Sequence, residues 1–156
     1  MKRSYAGRAS VLSIVIVLFL AVTSAAVAQE DDPALYAVGS LGASNLYSSY
    51  VVLATVADGY ASGNYQQSTA EDLAEESIAL HESSAEALRQ LVDRNVVSEG
   101  DRGIIENMIE AHELLIRQAE GLLAYLDDDE SAEQFQRFRE EAWEKISDIL
   151  DENPPQ

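Results

Sequence analysis

Between Ile104 and Leu126 the apolar residues return every three or four positions: Ile105, Met108, Ile109, Leu115, Ile116, Ala119, Leu122, Leu123 and Leu126, with His112 as the polar interruption of the row. A stripe of that period, kept over about six turns, suits a helix with one buried face and suits no strand. Three other stretches repeat it. Leu35, Val38, Leu46, Tyr50, Leu53, Ala57 and Tyr60 form one row, and Ala74, Ile78, His81, Ala85, Leu88 and Val92 a second. Phe135, Phe138, Ala142, Ile146, Ile149 and Leu150 form the third, with Trp143 at its margin.

Breaks between these rows carry turn and cap chemistry. Asp32-Pro33 opens the first helix, because proline at the first helical position lacks only an N–H that would be unpaired there anyway. Ser62-Gly63-Asn64 ends it, and Ser68-Thr69-Ala70-Glu71 reads as a capping box for the second. Ser98 with Asp101 opens the third, and an aspartate of the 127–129 run, or Ser131 with Gln134, opens the fourth. Asn153-Pro154-Pro155 stops it. The prediction is an all-α chain, an up-down-up-down antiparallel four-helix bundle preceded by an N-terminal signal peptide.

Residues 1–28 carry that leader. Lys2, Arg3 and Arg8 give a basic start, Val11 to Val22 is strongly apolar, and Ala26-Val27-Ala28 offers small residues for cleavage after position 28. Residues 29–156 then form one acidic bundle domain, periplasmic or secreted. The competing reading is an uncleaved anchor, since no charge falls between Ala9 and Ala28. The chain has no cysteine, which rules out disulfides, thiolate-held metals and covalently attached haem.

Acidic residues number 28 against 10 basic, a net charge of −18, and every acidic residue lies beyond position 28. Such a chain repels nucleic acid and anionic lipid, so contact with a membrane is expected only through an uncleaved leader. Against this background Pro33 to Ala57 carries no charge at all. The expectation is a central helix buried on most sides. Ser40, Ser44 and Ser48 form a line of small residues along it that admits close approach by another helix. Its cover is either the bundle's own helices or a homodimer or other protein partner, with Tyr36 and Tyr47 as flanking anchors.

Candidate chemistry rests on the two histidines. In an antiparallel hairpin turning near Ser98, His81 and His112 fall within about one helical turn of the same level, both on inner faces. Met108 lies one turn from His112 on the same side. Three readings follow: a polar pair bonded to Ser77, Ser84 or a tyrosine hydroxyl; a copper, zinc or haem site using His81 and His112, with Met108 as third ligand; or a pH-sensitive packing switch. Di-iron bundle chemistry needs Glu three residues before each histidine, and Ile78 and Ile109 stand there. The acidic run 127–130 lacks the alternation and glycine of a calcium loop. No phosphate loop, nucleophile elbow or catalytic triad is visible. The function read from sequence is therefore an exported, non-enzymatic helical bundle acting in binding or assembly, with metal or haem binding as the alternative.

Overall fold

The computed structural model describes residues 33–152. The leader, its cleavage site, Asp32 and the closing prolines lie outside the described residues. Four helices make up the rest: α1 (Pro33–Ala61), α2 (Gln67–Asp93), α3 (Glu99–Asp127) and α4 (Ala132–Glu152), with a short 3-10 turn over Asp129–Ser131 before α4. No strand occurs among the described residues. The all-helical expectation stands, and the molecule has a four-helix arrangement.

Each turn has a local cause. α1 ends with Gly63 in the left-handed region (φ 74°), where the amides of Gly63 and Asn64 donate to the carbonyls of Tyr60 and Gly59 at 2.9 and 2.8 Å. α2 ends in the same way with Asn95 (φ 52°), the amides of Asn95 and Val96 reaching Val92 and Leu91 at 3.0 and 3.1 Å. Ser98 caps α3 as its sequence predicts: Ser98 Oγ accepts from the Asp101 amide at 3.3 Å and also donates to the Asp101 carboxylate. Before α4 the aspartate alternative is the one used, Asp128 Oδ1 accepting from the Glu130 amide at 3.0 Å. The capping box at Ser68 does not form. α2 begins two residues earlier than that box requires, at Gln67 with Gln66 as N-cap, and Gln67 Nε2 donates to Glu71 Oε1 at 2.8 Å, so Glu71 is held by a helix-surface bond and not by a cap.

Contacts across the bundle set the helix directions. Arg89 meets Glu113 at 2.6 Å between α2 and α3, and Lys145 meets Glu110 at 2.5 Å and Asn107 at 2.8 Å between α4 and α3. Tyr60 packs edge-on against Tyr125, and Tyr50 packs against Trp143 with ring centres 5.1 Å apart. These pairs run α2 and α4 antiparallel to α3, and α1 alongside α3 in the same direction. The surface ion pairs fix register more than stability, because both partners remain in high-dielectric surroundings.

α3 is the central helix. It lies against all three others, whereas α2 and α4 have no Cα pair within 8 Å. Three helices around it bury more than one stripe: Ile105, Met108, Leu115, Leu122 and Leu126 on one side, and Ala111, Leu114, Gln118 and Gly121 on a second. At Gly121 an added Cβ would stand 3.3 Å from the Phe135 Cα and 2.9 Å from the Phe138 ring, so the missing side chain is what lets α4 approach.

α1 corrects the sequence reading. It is not buried on most sides; its inner row of Ala43, Leu46, Leu53, Val56 and Ala57 enters the core, while Leu41, Ser44, Ser48 and Val52 are exposed. A helix apolar on every side gives no periodic clue to which side is covered. No helix among the described residues is long and apolar enough to cross a membrane.

Candidate functional site

The heart of the α2–α3 interface is polar. His81 comes from the middle of α2, on the row Ala74, His81, Ala85 and Leu88, and His112 from the middle of α3, one turn beyond Met108. Their Nδ1 atoms stand 2.9 Å apart, with ring centres 5.1 Å apart and planes tilted by 41°. The imidazoles are 0% and 3% exposed. The expected meeting of the histidines is realised, with one difference. Each ring bonds to the other and neither to Ser77, Ser84 or a tyrosine, and His81 Nε2 has no hydrogen-bond partner.

A contact of 2.9 Å between two ring nitrogens needs one proton between them. One imidazole is therefore the Nδ1–H tautomer with a bare Nε2, and the other carries its proton on Nε2. Orphaned buried N–H groups are rarer than under-used acceptors, which assigns the Nδ1 proton to His81 and leaves its Nε2 a bare lone pair in the dry interior. Burial holds both rings neutral. The pKa of His81 is lowered from 6.5 to about 4 by desolvation and then by the charge His112 would carry; that of His112 is lowered to about 4 by desolvation.

The same geometry bears on metal chemistry. Two nitrogens on one tetrahedral ion at bonds of about 2.0–2.1 Å would stand roughly 3.3 Å apart, and two on opposite sides of a haem iron about 4 Å apart. The observed separation is that of a hydrogen bond. Among the described residues no three His, Asp or Glu side chains gather in a group that could hold an ion. Met108 is buried, with its methyl in the space that a Cβ on Gly42 of α1 would occupy, so it serves to seat α1 on α3.

Gln118 is a second buried polar group, and periodicity alone did not single it out. It is 0% exposed, and neither its Nε2 nor its Oε1 has a hydrogen-bond partner. By helical phase it lies on the α4 side of the α1–α3 contact, away from the histidines. The available signal was a second α3 row, Ala111, Leu114, Gln118 and Gly121, which a single-stripe reading passes over. An unpaired buried amide costs about 1–3 kcal/mol. Gln118→Met, which keeps the volume, is expected to raise the denaturant midpoint by about 1–2 kcal/mol of stability. A lowered midpoint in equilibrium unfolding would mean that the amide is hydrogen-bonded in solution.

The outer face of α1 is the other candidate. Leu41 is 72% exposed and Val52 52%, with Val51, Tyr47 and Tyr36 also exposed along one arc. Ser44 and Ser48 lie open on that arc, and Ser40 is partly covered. The hydroxyls do not face outward as free donors: Ser44 Oγ donates to the Ser40 carbonyl at 2.9 Å, Ser48 Oγ to Ser44 at 2.8 Å, and Thr55 Oγ1 to Val51 at 2.7 Å. Trp143 of α4, also exposed, extends the arc beside Tyr47 and Tyr50. The exposed faces elsewhere are acidic, with Glu75, Glu76, Glu82 and Glu86 on α2, Glu106, Glu113 and Glu120 on α3, and Glu140, Glu144 and Asp148 on α4. Leu41, Val51, Val52 and Trp143 were not among the contact residues expected from sequence, although the charge-free run marked the segment. Comparison of the chain with models of known protein families, with curated protein sequences and with solved structures finds no match.

Proposed function

We propose that the protein is an exported, non-enzymatic helical bundle that works by association through the outer face of α1, and that the occupant of that face is a second copy of the chain. One observation carries this reading: the α1 face is uncharged and exposes Leu41, Val51 and Val52 in a chain whose net charge is −18. Two such chains repel wherever carboxylates face each other. Only the α1 faces can meet without desolvating charge, and a basic partner would be drawn to the acidic helices instead. Because the serine and threonine hydroxyls are already bonded to their own helix, covering them strands few donors. A standard interface buries about 800 Å² per partner, and the arc of Tyr36, Leu41, Tyr47, Val51, Val52 and Trp143 is the exposed apolar surface that supplies it. The basic start, apolar run and small-residue cleavage motif of residues 1–28 support export.

Sedimentation velocity over a range of concentrations tests the association. The protein is expected to dimerise, and Leu41→Glu, a change at an open position, to weaken dimerisation by roughly 100-fold with unchanged helix content, since it places two carboxylates in an apolar contact. A wild type that remains monomeric at about 100 µM removes the proposal.

A further inference from the structure

The histidine pair has no part in the association face, yet among the described residues its two rings are the buried side chains that a solvent proton can charge. We propose that His81 and His112 form a two-proton latch: the first proton taken up goes to the bare Nε2 of His81 and leaves the existing Nδ1 proton shared between the two rings, and the second breaks their contact and releases α1 from the α2–α3 groove. The first step keeps the 2.9 Å contact as a charge-assisted hydrogen bond, with an N–H on each Nε2. The second, also drawn from solvent, turns both Nδ1 atoms into donors facing each other, and no hydrogen bond is left between them.

Nothing nearby neutralises either charge. α1 has no charged residue from Pro33 to Ala57, and its Tyr47 and Tyr50 are engaged with Trp143 on the α4 side. On α2 the residues one turn either side of His81 are Ser77, Ile78, Ser84 and Ala85; on α3 those around His112 are Met108, Ile109, Leu115 and Ile116. Across the α2–α3 seam Arg89 and Glu113 are bonded to each other at 2.6 Å and half-exposed, and Glu82 is exposed. A doubly protonated pair must therefore reach water. α2 and α3 share their longest interface and the Arg89–Glu113 bridge, whereas α1 rests more lightly and covers the row below His112 through Gly42 and Met108. Lifting α1 wets the pair with the least loss of packing, and it uncovers the apolar row of Leu46 and Leu53.

Amide hydrogen exchange resolved by residue, corrected for intrinsic rates and run from pH 7 to pH 3, tests the latch beside ¹⁵N spectra of the imidazoles. At neutral pH one Nδ1–H and one Nε2–H tautomer are expected. On acidification the rings should protonate in two steps, and with the second the α1 amides near Leu46 should lose at least tenfold more protection than those of α3 and α4. In His81→Phe/His112→Leu, and in His112→Asn should the double variant not fold, α1 should keep its protection down to pH 3. Retained α1 protection in the wild type with both rings protonated, or equal loss in wild type and variants, overturns the proposal.

Discussion

Leu115→Ala is expected to cost about 3–4 kcal/mol of folding stability, within the 2–5 kcal/mol seen when a fully buried leucine loses its side chain and leaves a cavity. Leu115 is 0% exposed at the middle of α3, the helix that every other helix packs against. The void would therefore open in the Met108 row that seats α1 on α3, and α1 cannot shift to fill it without loosening its contacts with α2 and α4. A domain of this size has about 5–15 kcal/mol in all, so the change removes a large share. Urea unfolding followed by circular dichroism reads it directly. Leu80→Ala on α2, away from the α1 face, is the internal comparison, because a half-exposed leucine loses little, within about 1 kcal/mol. If the two substitutions cost the same, α3 is not the centre of the bundle.

Acid should destabilise the protein through its histidines. Both rings have folded-state pKa values of about 4 against 6.5 unfolded, so between those values the unfolded chain binds more protons than the folded one, and stability falls as pH falls. The histidine contribution is intact above pH 6.5, declines below it, and levels off once the pH is below about 4. For buried groups the loss is on the order of 2–3 kcal/mol per imidazole. The chain's acidic excess acts in the opposite sense, since protonating carboxylates relieves self-repulsion. The His81→Phe/His112→Leu variant carries the second effect without the first. The difference in unfolding free energy between wild type and variant, measured from pH 7 to pH 4, should shift against the wild type by several kcal/mol. A pH-independent difference would show that the rings titrate normally in the folded protein.

Much of the architecture was legible because it is written locally. Apolar period set the four helices, and Ser98, Gly63 and Asn95 mark places where a side chain or a left-handed backbone satisfies the loose ends of a helix. The meeting of His81 and His112 could also be read, since a short turn sets the level of two antiparallel helices whatever surrounds them. The partners of the rings could not. Whether an imidazole finds a serine, a tyrosine or its counterpart depends on a few tenths of an ångström in helix separation, which no period encodes.

Sequence alone thus determined that this chain makes four helices, where they turn, that the stretch from Ile104 carries an apolar stripe over about six turns, and that two imidazoles share a level. Tertiary structure decided what a single helix cannot express. It chose which side of the charge-free α1 faces water, because a helix apolar all round has no preferred inside until neighbours supply one. It also buried Gln118, because α3 is surrounded by three helices and must commit a second row of side chains to the interior, polar amide included.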